Sequence, residues 1–163
     1  VETTVLIAIG SNRRHHRHGA PAGVVAAAVA ALAAAGLGIV ARSGIHATAP
    51  LGPGGRRFAN AAVAVRCALP LPALLALLKR IERDFGRRRG RRWGDRVLDL
   101  DIIGAGAVVV RAPGLQVPHP GVAVRRFVLD PLVEIAPDWR HPVQNATVRQ
   151  LRARAMRPKA ARL

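Results

Sequence analysis

Residues 58–86 read FANAAVAVRCALPLPALLALLKRIERDFG, and the hydrophobic period changes inside them. Over 58–67 apolar positions follow the two-residue period of a strand. From residue 70 the spacing becomes helical: Leu71, Leu74, Leu75, Leu78, Ile81 and Phe85 fall on one stripe, Pro72 sits near the start and Gly86 supplies a stop. A strand that runs straight into an amphipathic helix is the unit from which an α+β domain is built.

The flanks extend the pattern. Upstream, TTVLIAIGSN (3–12) reads as a buried strand that ends at Gly-Ser-Asn, and RRHHRHGAPAG (13–23) as a basic loop. GVVAAAVAALAAAG (23–36) has helix propensity and ends at Gly36, GIVARSGIHAT (38–48) reads as a second strand, and APLGPGGRR (49–57) as a loop. Downstream, RRRGRRWGDR (87–96) is a basic loop and VLDLDII (97–103) a strand. GAG (104–106) reads as a turn that returns AVVVR (107–111) as a hairpin partner. A short helix is expected around Val124–Leu132, and a terminal one over NATVRQLRARA, capped by Asn145 or Thr147. The order predicts an α+β, ferredoxin-like sandwich with a mainly antiparallel sheet flanked by helices, in a single domain over 1–163.

Composition narrows the function classes. Lys and Arg number 26 against nine Asp and Glu, a net charge of +17 that would suit a polyanion such as RNA. The arginines, however, are spread along the chain, whereas five of the nine acids (Glu82, Asp84, Asp95, Asp99, Asp101) fall between 82 and 101. A single cysteine, Cys67, allows no intrachain disulfide and has no metal-ligand spacing. The N-terminal apolar run lacks a basic lead and is broken at Gly10, and Val24–Ala35 falls short of the ~20 residues needed to span a bilayer. A cytoplasmic protein is the expectation. His15, His16 and His18 sit among arginines that repel cations, so they read as part of a solvated loop rather than a metal tract.

Asp99 and Asp101 carry the chemistry. Aspartate is depleted in strands, yet here two are separated by one Leu. At i and i+2 they share a face while Leu98, Leu100 and Ile102 point to the core. Two carboxylates fixed this way suit Mg²⁺, which completes its shell with water and substrate phosphates; the competing reading is charge protecting an edge strand. The loop just upstream favours the metal, since Arg87, Arg88, Arg89, Arg91, Arg92 and Arg96 offer guanidinium forks matched to phosphate oxygens. No P-loop signature is present. Among five aromatics, Phe58, Trp93 and Phe127 lie beside polar motif residues, Phe85 belongs to the helix core and Trp139 has no evident partner. Flat rings near Asn60 could sandwich a heterocycle whose edge the amide reads.

Taken in order, AIGSN, ATAPLG, FANAAV, LLALLKRIERDFGR, RWGDRVLDLDII, VPHP and RRFVLDPLVEIAP resemble the 6-hydroxymethyl-7,8-dihydropterin pyrophosphokinase family of folate biosynthesis over nearly the whole chain. The resemblance implies transfer of pyrophosphate from ATP to the pterin's hydroxymethyl oxygen with release of AMP. It implies two Mg²⁺ ions on Asp99 and Asp101, and catalytic Arg87 and Arg96. Around ATP it places Glu82, Arg92, Trp93, Ile102, His119 and Arg125. Around the pterin it places Thr48, Ala49, Leu51, Phe58, Asn60, Trp93 and Phe127. The implied partners are these small molecules, with no membrane, no specific nucleic acid and a monomeric state. The chain departs from the family pattern after GSN, where RRHHRHG follows in place of Leu-Gly and an acidic or amide residue.

Overall fold

Strand β1 (Thr3–Ser11) is hydrogen-bonded on both sides and forms the middle of the sheet. The computed structural model describes residues 2–48, 56–86 and 96–158. After β1 come helix α1 (Pro21–Ala34), strands β2 (Gly38–Arg42), β3 (His46–Thr48) and β4 (Phe58–Cys67), and helix α2 (Leu71–Asp84). Strands β5 (Asp99–Gly104), β6 (Val110–Ala112) and β7 (Leu115–Val117) and helices α3 (Arg126–Ile135) and α4 (Val148–Ala155) complete it.

The main sheet has the order β2–β4–β1–β5 with every pair antiparallel, and β3 continues the β2 edge along β4. This is the ferredoxin-like arrangement expected. Because side chains alternate across a strand, β1 feeds two cores. Val5, Ile7 and Ile9 pack with Val24, Ala28 and Leu32 of α1 and Leu74, Leu78 and Ile81 of α2. Leu6, with Ala62, Ala64 and Ile103, packs on the opposite face against Val128, Leu129 and Leu132 of α3 and Val148 and Leu151 of α4.

Several local expectations change. The stretch 38–48 is two strands, interrupted at Ser43–Ile45: the Ser43 N–H donates to the Ala62 carbonyl while the Ala62 N–H donates to Ser43 Oγ at 2.9 Å, so a hydroxyl replaces a backbone rung. Helix α1 begins at Pro21, inside the stretch read as loop, because proline suits a first helical turn whose N–H is unsatisfied anyway. Residues 107–111 do not return along β5. Instead β6 pairs with β7 across Pro113-Gly114, where Pro presets one turn residue and Gly114, at φ +76°, takes the other. Thr147, not Asn145, caps α4: it shares a capping box with Gln150, while Asn145 turns at φ +50°.

Trp139, which has no partner legible in sequence, donates its indole N–H to the Gly106 carbonyl at 3.1 Å. The histidine loop is not simply solvated, since His15 stacks on His16 and His18, and His18 stacks on Phe85 at 5.2 Å.

His141 is 6% exposed, and its Nδ1 accepts the Val143 and Gln144 N–H groups at 3.2 and 3.0 Å. Burial pushes its pKa below the ordinary imidazole value. The unfolded chain therefore binds a proton that the folded chain refuses, and the stability this ring contributes is lost as pH falls below about 6.5. His15 shifts in the same direction, mainly through burial and then through its neighbouring histidines. In thermal melts from pH 7.5 to 5, His141→Asn, which keeps a turn-forming acceptor, is expected to show a shallower decline than the parent. Parallel declines would place the pH dependence elsewhere.

Candidate active site

The two aspartates of β5 leave the sheet on the face that α3 and α4 cover only in part, while Leu98, Leu100 and Ile102 enter the opposite core. Register then assembles a lateral row that no local pattern announces. Gly10 of β1 lies opposite Asp99 on one side and Asn60 of β4 on the other, and Asn60 lies opposite His46 of β3. The next row runs Ala62, Ala8, Asp101. Two strand spacings separate Asn60 from Asp99, roughly 10 Å, and the floor between them carries only small residues. A Cβ added to Gly10 would stand 3.1 Å from Asn60 Oδ1, so glycine keeps that floor open beside the amide.

The carboxylates are electrostatically set for a cation. Burial, and after it the charge of Asp99, pushes Asp101 above the usual carboxylate range, while His119, Lys79 and Arg96 pull it down. Among the described residues no three His, Cys, Asp or Glu converge on a metal position. A pair of carboxylates is nonetheless the protein share of a Mg²⁺ site that leaves the remaining positions to water and phosphate.

Arg96 sits at this pair, its Nη1 3.2 Å from Asp99 Oδ1. Its backbone is held at two points by Asn12: the Arg96 N–H donates to Asn12 Oδ1 at 2.8 Å, and the Asn12 N–H donates to the Arg96 carbonyl at 3.1 Å. Sequence reading gave no role to Asn12, which enters it only as the last residue of AIGSN, just past the end of β1.

Along the outer edge of β5 runs a groove of about 280 Å³, walled by Leu75 and Lys79 of α2, Leu100, Asp101 and Ile102 of β5, Gly114–Gln116 and His119. Of the residues expected around ATP, Ile102 and His119 line it. The His119 Nδ1 accepts the Gly121 N–H at 3.0 Å, which leaves Nε2 as the donor of the neutral ring. Glu82 is fully buried and its Oε2 accepts the Leu100 N–H at 2.9 Å, so it holds the β5 edge and reaches a ligand only through that strand. Lys79, 3.4 Å from Glu82 Oε1, is the groove cation that sequence reading missed.

On the other side of the Asp pair, Phe58 and Asn60 share the face of β4 that α3 packs over, and Thr48 lies opposite Phe58. Phe58 is 47% and Phe127 53% exposed, a costly position for rings unless a ligand covers them. Arg125 stands beside Phe127, its guanidinium carbon 5.9 Å from the ring centre. Ala49, Leu51, Arg87, Arg92 and Trp93, also expected in the site, lie outside the described residues.

The family model described as 7,8-dihydro-6-hydroxymethylpterin-pyrophosphokinase matches residues 6–137. The chain is 42% identical over 125 residues to the 2-amino-4-hydroxy-6-hydroxymethyldihydropteridine pyrophosphokinase of Synechocystis sp., covering 76% of this chain and 64% of that protein. To the enzyme of the same name from Methylorubrum extorquens it is 42% identical over 138 residues, covering 83% and 84%. In fold it is similar to the wild-type HPPK-DHPS of Plasmodium falciparum, solved with pterin and p-hydroxybenzoate, at a TM-score of 0.68 and 15% identity. That match covers 94% of this chain and 42% of the other.

Proposed function

The chain belongs to the 7,8-dihydro-6-hydroxymethylpterin-pyrophosphokinase family, and from that premise we propose that it transfers pyrophosphate from ATP to the hydroxymethyl oxygen of 6-hydroxymethyl-7,8-dihydropterin. The oxygen forms a bond to the β-phosphorus of ATP, the bond from that phosphorus to the bridging oxygen on the α-phosphate breaks, AMP leaves and the hydroxyl proton is released. The observation that carries this reading is the row Asn60–Gly10–Asp99, which stands the Asn60 amide and a carboxylate two strand spacings apart, with the exposed ring of Phe58 two residues from Asn60 on the same strand face.

In this reading the pterin lies between Phe58 and Phe127 with its edge toward Asn60, and Thr48, Ala49 and Leu51 border it. The nucleotide occupies the β5 groove beside Ile102 and His119, with Arg92, Trp93 and Arg125 around it and Glu82 supporting the strand. Asp99 and Asp101 would hold two Mg²⁺ ions, whose chemistry when bound is to neutralise the charge of the phosphates. Arg96, anchored by Asn12, aims a guanidinium at that position, and Arg87 supplies a second. His119 donates from Nε2 and Lys79 adds a point charge at the groove wall. The protein's work is chiefly placement and electrostatics, as phosphoryl-transfer chemistry requires.

A coupled assay with ATP, Mg²⁺ and the reduced hydroxymethylpterin tests the proposal. AMP release that depends on the pterin is the expected result. No turnover, together with salt-sensitive RNA binding, would overturn it in favour of a polyanion-binding domain that uses the +17 charge.

A further inference from the structure

Glu134, near the C-terminal end of α3, has no part in the site as described above. Its Oε1 accepts the Gly44 N–H at 3.0 Å and its Oε2 meets the His46 ring Nε2, 88 residues away in sequence. The Gly44 N–H, against the opposing effect of burial and with help from His46, holds the carboxyl below its ordinary range, so the group grips as an anion. Both side chains are about two-fifths exposed, 39% and 40%, and ion pairs that open add little to global stability.

Their position gives them a different consequence. Gly44 belongs to the interruption between β2 and β3, and β3 carries His46 and Thr48 opposite Asn60 and Phe58, the outer wall of the pterin slot. Phe127 precedes Glu134 by seven residues in α3, close to two helical turns, so both leave the helix on one stripe, roughly 10 Å apart along its axis. One end of that stripe is the exposed ring of Phe127, and the other is tied to β3 and to the turn that precedes it. We infer that Glu134, through Gly44 and His46, is a positioning residue that sets the distance between α3 and the β3–β4 wall, and thereby the width of the slot for a flat heterocycle. The inference rests on the pterin reading above.

The test is pterin binding by ligand fluorescence with a non-hydrolysable ATP analogue present, analogue binding measured separately, and steady-state KM for both substrates. Glu134→Ala is expected to weaken pterin binding roughly tenfold, about 1.4 kcal/mol, with analogue affinity nearly unchanged. Glu134→Gln keeps an acceptor for Gly44 and recovers part of the loss, and adding His46→Ala to Glu134→Ala costs nothing more. Should Glu134→Ala not fold, His46→Ala leaves the Gly44 bond intact and is expected to show the same selective loss, smaller in size. Equal weakening of both ligands alongside a lower melting temperature would overturn the inference, because it would mark a purely structural contact. An inactive parent enzyme would bring down the functional reading and this one with it, whereas an active parent with unaffected variants would overturn the positioning role alone.

Discussion

Asp101→Asn is expected to yield a folded protein whose pterin-dependent AMP release falls by orders of magnitude. The reason lies in what the carboxylate costs and what it supplies. Burial and the facing Asp99 raise its pKa, so folding works against its ionised form, and that cost is complete once the pH lies well above the carboxylate range. The amide has nearly the same shape and no charge. The metal-free variant is therefore expected to melt at or above the temperature of the parent, while the partner for a cation at the phosphates is gone. Adding Mg²⁺ with a non-hydrolysable ATP analogue should raise the parent's melting temperature and leave the variant's nearly where it was. Turnover and Mg²⁺ dependence unchanged in the variant would remove Asp101 from the metal site. A large drop in melting temperature without ligands would instead make the pair an element of the fold.

Arg96→Ala should show which part of the positive charge does chemistry. Arg96 is held at its backbone by Asn12 and reaches Asp99 with its guanidinium, so the donor proposed for the phosphates is already anchored beside the carboxylate pair. Loss of a preorganised donor to a developing charge costs about 2.7–4 kcal/mol, or ~100- to 1,000-fold in rate. The expected signature is a fall in kcat with little change in affinity for the ATP analogue. Arg66 is the natural control, because it lies opposite Thr4 at the far end of β4, six positions beyond Asn60, and removes the same unit of charge. Arg66→Ala is expected to change only the salt dependence of anion binding. Comparable losses of kcat in the two variants would mean that the diffuse field matters more than the placed group, and the role given to Arg96 would fail.

What could be read ahead of the structure follows the reach of each signal. The strand at Phe58–Cys67 and the helix at Leu71–Asp84 were legible because hydrophobic period is a local property of the chain. The hairpin was not, because whether residues 107–111 return along β5 depends on what else occupies that edge. There Glu82 takes the Leu100 N–H and the His119 N–H takes the Ile103 carbonyl, and both come from elsewhere in the chain. The histidine loop was legible in part: Arg13, Arg14, His16 and Arg17 are exposed as read, but Phe85, some seventy residues on, offers a ring to His15 and His18.

By itself the sequence determined the class of fold, the pairing of Asp99 with Asp101 on one face and the family resemblance that gives them a purpose, since each depends on spacing along the chain. Only the tertiary structure decided which distant residues meet them. Gly10 and Asn60 come to the row of Asp99 through strand register, Asn12 reaches Arg96 across 84 positions, and Glu134 reaches His46 across 88. The physical reason is that register and helix docking are settled by burial of whole faces at once. A one-residue slip of β4 against β1 would turn Asn60 into the core and a core alanine to the slot, and no short stretch of sequence carries that constraint.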